Sequence, residues 1–218
     1  MNTGDKLLII YNLLLSSFGK QNWWPAETKI EMIVGAVLTQ NTSWSNVEKA
    51  IRNLRARNLL SIEGLSNAPL NVLSDYIKPA GYFNLKARRL KNLIHFVNDR
   101  YAGNLDELFS LDITTIRDGL LSVNGIGRET ADSIVLYAAE LPLFVIDTYT
   151  YRILTRHGLV DENIDYSGLQ AIFMDNLPHE AELFKEFHAL IVKAGKEFCK
   201  KKPLCIECPL RILDTEIS

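Results

Sequence analysis

The sequence predicts an all-α protein built of many short helices. Three observations predict the class. Apolar residues recur at helical spacing along most of the chain, convincing period-2 alternation appears nowhere, and short polar breaks such as SNAP (66–69) and NLPHE (176–180) separate the periodic segments. At 218 residues and 47% hydrophobic content, the chain suits one large globular domain or two small ones sharing a core. It holds no low-complexity stretch, no internal repeat and no apolar run long enough to cross a membrane.

Taken in chain order, LLIIYNLLLSSF (7–18) predicts a first amphipathic helix. A signal peptide is the weaker reading, because Asn12 interrupts the run, Asp5 and Lys6 precede it, and no small-residue cleavage site follows. A cytoplasmic protein is therefore expected. In IEMIVGAVL, the residues Ile30, Ile33, Val34, Val37 and Leu38 form an apolar stripe, and Leu90, Leu93, Ile94 and Val97 form another. NLDE at Asn104–Glu107 has the form of a capping box. Leu120, Leu121 and Val123 end one helical pattern, and Ala131, Ile134, Val135 and Ala138 begin the next, while Leu169, Ile172 and Phe173 start a later helix.

Between the two central patterns lies NGIG (124–127), a connection short enough to need the backbone freedom that glycine supplies. Such a turn leaves bare N–H groups at the start of the second helix, where the dipole favours an anion such as a phosphate of a nucleic-acid backbone. A plain helix–turn–helix corner uses the same residues. Asp147, after the apolar run LFVI and at the start of a predicted helix, is either a helix N-cap or a rigidly held functional carboxylate.

The net charge of −2 does not advertise a nucleic-acid binder, although local patches would suffice. Two are available, KARRLK (86–91) and KAGKEFCKKK (193–202), and either also reads as a solvated helix face. All three cysteines fall in Cys-x5-Cys-x2-Cys-x5-Asp, formed by Cys199, Cys205, Cys208 and Asp214, a spacing that suggests a metal site more than a disulfide. His95, His157, His179 and His188 show no ligand spacing among themselves and read as ordinary helix residues.

Several segments, in order, resemble one family. LLSVNGIGRETADSIVLYA followed by FVIDTYTYRIL is similar to the helix-hairpin-helix and downstream aspartate of the endonuclease III superfamily of DNA glycosylases. KIEMIVGAVLTQNTSWSNVEKAI resembles that superfamily's early helix–turn–helix, AGYFNLKARRLKNL its middle, and CKKKPLCIECPL its cysteine loop, so the resemblance covers nearly the whole chain. It implies one helical subdomain over 28–141 carrying the hairpin, and a second built from 1–27 plus 142–218. It also implies a monomer acting on double-stranded DNA that contains damaged bases, with DNA contacts at Gln40, Gly125, Ile126, Gly127 and Arg128.

In that family the aspartate at the place of Asp147 is catalytic. A fixed anion stabilises the oxocarbenium-like sugar formed when the base leaves, and can orient or deprotonate the attacking water. Bifunctional members carry a lysine two residues after the second hairpin glycine, which forms a Schiff base with the sugar. Here that position is Glu129, and a carboxylate forms no imine, which implies a monofunctional enzyme that leaves an abasic site. Glu129 itself reads as a first-turn glutamate set against the helix dipole.

Trp23-Trp24-Pro25 and Trp44 resemble the 3-methyladenine DNA glycosylase III branch, whose aromatic residues at these places sandwich a flipped purine. That branch has phenylalanine where this chain has Trp44, and core filling is the alternative use of the three tryptophans. Gln40 matches a residue that fills the hole left by the flipped base, or else is an ordinary helix-end side chain. The family's iron–sulfur loop is Cys-x6-Cys-x2-Cys-x5-Cys. This chain shortens the first gap and places Asp214 at the fourth ligand, so a four-iron cluster, a three-iron cluster, zinc and a degenerate loop all stay open. Two other functions fit the same motifs: an endonuclease III-like enzyme for oxidised pyrimidines, and a non-catalytic hairpin module that binds DNA.

Overall fold

Short polar side chains start most helices by accepting their free N–H groups. In the computed structural model, which describes residues 2–213, Asn2, Thr28, Ser61, Asn104, Asp112, Asp147 and Asp165 each cap a helix in this way. Twelve α-helices and no strand occur among the described residues. The chain divides into two compact units, Ala26–Leu141 and Met1–Pro25 with Pro142–Ser218.

The continuous unit holds α2 (Lys29–Leu38), α3 (Trp44–Arg55), α4 (Ile62–Asn67), α5 (Leu70–Tyr76), α6 (Phe83–Tyr101), α7 (Leu105–Phe109), α8 (Ile113–Leu121) and α9 (Arg128–Ser133). Helix α2 is buried at every position from Ile30 to Leu38, rather than along a stripe, because α3, α6, α9 and the turn after α9 all pack on it. Its one buried carboxylate, Glu31, accepts two hydrogen bonds from Arg55 Nη2, at 2.7 and 2.8 Å. Helix α9 runs into a π-helical turn, Ile134–Ala138, which is buried at every position where the periodicity predicts one face, because α2 and α8 both pack on it.

Two further charges organise this unit. The KARRLK segment is not a uniform surface patch, since Lys86 is 1% exposed. Its ammonium donates to Leu38 O at 2.9 Å and Ala80 O at 2.7 Å, tying together two chain segments that end in free carbonyls. Burial, with a smaller contribution from nearby Arg89, pushes the Lys86 pKa down to about 8. Arg117 of α8 forks onto the fully buried Asp132 of α9, Nε to Oδ1 at 2.6 Å and Nη2 to Oδ2 at 3.3 Å, which clamps the two helices that flank the hairpin.

The discontinuous unit contains α1 (Thr3–Phe18), α10 (Thr148–Arg156), α11 (Tyr166–Met174), α12 (Ala181–Glu197) and two 3-10 turns, Cys205–Glu207 and Pro209–Ile212. Leu7, Ile10 and Leu14 form the buried face of α1. Aromatic rings fill the core: Phe144 stacks on Phe173 at 3.8 Å and meets Phe184 and Phe187 edge-on. Helices α10 and α12 approach closely at Gly195, where any side chain would collide with the Tyr149 ring.

Candidate active site

The hairpin between α8 and α9 is set by its two glycines in different ways. Gly125 has φ +95°, in the left-handed region, and a Cβ there would also run into the Arg89 side chain. Gly127 is the extended N-cap of α9, with open space around it and no side-chain cap. Between them, Ile126 is 5% exposed and anchors the turn, its N–H donating to Val123 O at 3.0 Å. Arg128 and Glu129 follow as exposed first-turn residues. Gly125→Ala is expected to destabilise the protein by about 1–3 kcal/mol in urea unfolding. An unchanged midpoint would refute this account of the turn.

Helix α6 braces the hairpin from behind. Asn92 Nδ2 donates to Asn124 O at 3.0 Å, and Arg89 donates to Gln40 Oε1. Gln40 Nε2 in turn reaches Thr130 Oγ1 at 2.9 Å and Gly125 O at 3.3 Å. The Gln40 amide therefore ties the end of α2 to the hairpin, and entering a duplex would require it to exchange these bonds. Arg89 is a member of this arrangement that the sequence reading left inside a generic charge run. Tyr82, the residue before α6, is a 71% exposed aromatic held at φ +44°.

In the discontinuous unit, Asp147 is the N-cap of α10, and its two oxygens are unequal. Oδ1 accepts from Tyr149 N at 2.9 Å, Thr150 N at 2.7 Å and Thr150 Oγ1 at 2.9 Å. Oδ2 takes no part in the cap and lies 3.7 Å from His188 Nε2 of α12. Burial pushes this carboxyl up, but His188 and then Thr150 outweigh it and hold the group below the usual carboxylate range. His188 is thus no ordinary helix residue. Nothing local in the sequence marks it, because its partner is some forty residues away.

The same helix grips the tryptophan loop. Glu186 Oε1 accepts from Gln21 N at 2.6 Å and Oε2 from Asn22 N at 3.4 Å. The Trp23 and Trp24 rings are half-buried, with centroids 5.2 Å apart and planes inclined at 42°, too close to admit a base between them. They form one aromatic platform, next to the exposed Pro25. Trp44, in the other unit, is the first residue of α3 and donates Nε1–H to Glu48 Oε1 at 2.8 Å.

Cys199, Cys205 and Cys208 line one cavity of about 80 Å³, together with Ile153, Arg156 and His157. Arg156 Nη1 donates to Cys199 Sγ at 3.2 Å and to Lys200 O at 2.6 Å. Burial pushes the Cys208 thiol up, against a hydrogen bond from the Leu210 backbone, and the neighbouring Cys199 and Cys205 add to the rise. Among the described residues no three His, Cys, Asp or Glu side chains gather as ligands of a single metal ion. Asp214 lies outside the described residues.

Comparison with known proteins gives a consistent set of relatives. A family profile described as HhH-GPD superfamily base excision DNA repair protein matches residues 34–179. A protein of Methanocaldococcus jannaschii named as a DNA repair glycosylase is 49% identical over 212 residues, covering 96% of each chain. Endonuclease III of Sulfolobus acidocaldarius is 30% identical over 82% of this chain and 78% of its own. Among solved structures, the 3-methyladenine DNA glycosylase of H. pylori bound to 1,N6-ethenoadenine aligns with a TM-score of 0.77 at 27% identity, covering 90% of this chain and 98% of that one. An endonuclease III–DNA complex shares the fold, with a TM-score of 0.81 at 23% identity over 98% of this chain and 95% of that one.

Proposed function

The chain belongs to the HhH-GPD superfamily of base excision DNA repair proteins, and on that footing we propose that it is a monofunctional DNA glycosylase. It hydrolyses the N-glycosidic bond of alkylated purines such as 3-methyladenine in double-stranded DNA and leaves an abasic site, acting as a monomer in the cytoplasm. The observation that carries this reading is the division between the two oxygens of Asp147. Three hydrogen bonds fix Oδ1, so the carboxylate cannot turn, and Oδ2 keeps its charge for chemistry.

As the base departs, positive charge grows on the sugar, and a fixed anion stabilises it. The same oxygen then orients the attacking water and accepts its proton. Alkylation at a ring nitrogen makes the base cationic and a good leaving group, so little acid catalysis is required. The Trp23–Trp24 platform favours such a cation, by about 1–2 kcal/mol per desolvated contact. The ethenoadenine-bound structural relative lends support to a purine-type substrate.

The target nucleotide must leave the stack to be reached. The hairpin Gly125-Ile126-Gly127, with Arg128, holds a backbone phosphate and positions the duplex without reading its sequence. Exposed Tyr82 is suited to wedge between bases, and Gln40 to replace the flipped one. Glu129 stands where a lyase would need an amine, so no Schiff base forms and strand cleavage does not accompany base release.

The cysteine loop is read as the seat of the family's iron–sulfur cluster, because its three thiols line one cavity and each iron of a cluster takes its own thiolate. Cys199, Cys205 and Cys208 would hold the cluster, which would serve to fix the basic loop 199–202 in one conformation. Arg156, already bonded to Cys199 Sγ, balances thiolate charge there.

Incubation with methylated duplex DNA tests the reading. Free 3-methyladenine should appear, strand breaks should form after alkali treatment alone, and borohydride should trap no covalent complex. Release of oxidised pyrimidines with no release of methylated purines would replace this assignment by the endonuclease III-like one. DNA binding without release of any base would leave a hairpin binding module.

A further inference from the structure

The Asp147–His188 pair has features that a helix cap does not require. The two side chains are 9% and 8% exposed, so water screens their interaction poorly. The spacing of 3.7 Å is set by the close packing of α10 on α12. Tyr149 lies over Gly195, the Arg152 guanidinium covers the Tyr149 ring at 5.1 Å, and Arg152 Nη2 donates to Gly195 O at 3.3 Å. Because Oδ1 is held by the cap, the oxygen that faces His188 is the one left for chemistry. Two residues before His188, Glu186 holds the backbone of the tryptophan loop, so one short stretch of α12 supports both parts of the proposed site.

We propose that His188 is a positioning residue for base release, which holds Asp147 Oδ2 in place and keeps it free of a proton. The inference rests on the reading of Asp147 as the catalytic carboxylate. A protonated Oδ2 can neither stabilise the sugar cation nor accept a proton from water, and burial by itself would favour that protonated form. The imidazole opposes it through the charge or N–H dipole that it turns toward the carboxylate. Titratable or charged side chains on the elements packed here include Tyr11 of α1, Tyr149, Tyr151, Arg152 and Arg156 of α10, Tyr166 of α11, and Glu182, Lys185 and Glu186 of α12 itself. Tyr11 is held above its ordinary range by burial and by Glu186, which keeps it neutral through the acid range that matters.

The test is the pH profile of single-turnover base release from methylated DNA, whose cationic lesion needs no protonation to leave. His188→Gln should move the acid limb up by about one pH unit, which lowers the rate roughly tenfold within that limb and restores it at higher pH. A rate reduced by one factor at every pH would mean that His188 merely packs, and would overturn the inference. Carbon-13 NMR of the Asp147 carboxyl gives a readout without activity: its midpoint must rise in His188→Gln and, in the wild-type protein, must be felt at the His188 ring. Independent titration of the two groups in wild type would overturn the inference even if the variant failed to fold. Retained base release by Asp147→Asn would overturn the parent reading instead, a distinct result.

Discussion

Asp147→Asn is expected to lower base release from methylated duplex DNA by about 10²–10³-fold or more, with DNA affinity and melting temperature near those of wild type. Asparagine is as good an N-cap as aspartate. Its side-chain oxygen can take over the bonds to Tyr149 N, Thr150 N and Thr150 Oγ1 that Oδ1 makes. The change therefore falls on Oδ2, where an anion becomes a neutral amide. Asp147→Ala is a poorer probe, because it also removes the cap, at a cost of about 0.5–2 kcal/mol. Single-turnover release and duplex binding, measured on the same preparations, separate chemistry from affinity. A rate within about tenfold of wild type (about 1.4 kcal/mol in barrier) would place the catalytic charge elsewhere.

Arg117→Ala is expected to destabilise the protein by about 3–5 kcal/mol, lowering the melting temperature by roughly 10 °C. The magnitude follows from what is left behind. Asp132 is 0% exposed, so loss of the guanidinium leaves a carboxylate with neither water nor its main partner. Replacing both residues together, as Arg117→Met with Asp132→Leu, should recover most of the loss, since a buried ion pair gains little over an apolar pair of similar volume. Urea unfolding of the two singles and the double measures the coupling. A loss below about 1 kcal/mol in Arg117→Ala would put the pair among ordinary surface bridges. Since α8 and α9 flank the hairpin, the same variant should bind duplex DNA more weakly even where it remains folded.

The helices were legible from the sequence because their causes are local. Asn104 caps α7 as its NLDE motif suggests, and Leu90, Leu93, Ile94 and Val97 are buried together in α6. The same logic found the glycine turn at 124–127. It failed where burial is decided by distant segments. Lys86 looks like a surface cation in KARRLK, and becomes an interior donor because Leu38 and Ala80 bring it carbonyls that need partners. Likewise, periodicity assigns one apolar face to α2, but four elements surround it. Asp147 could be singled out because an acidic residue between an apolar run and a helix is a local sign. His188, Glu186 and Arg89 could not, since their roles come from partners some forty, 165 and 49 residues away.

The discontinuous unit has a consequence for how the chain comes off the ribosome. Helix α1 hides Leu7, Ile10 and Leu14 against α11, α12 and the Pro209–Ile212 turn, some 150 residues or more downstream. The 26–141 unit is complete when translation reaches its end, but α1 must then wait for the remaining chain. At about 5–20 residues per second, its apolar face stays uncovered for roughly 10–30 s in each round of synthesis. During that interval its apolar residues face water, which makes it the form of nascent segment that a chaperone would hold until α12 arrives.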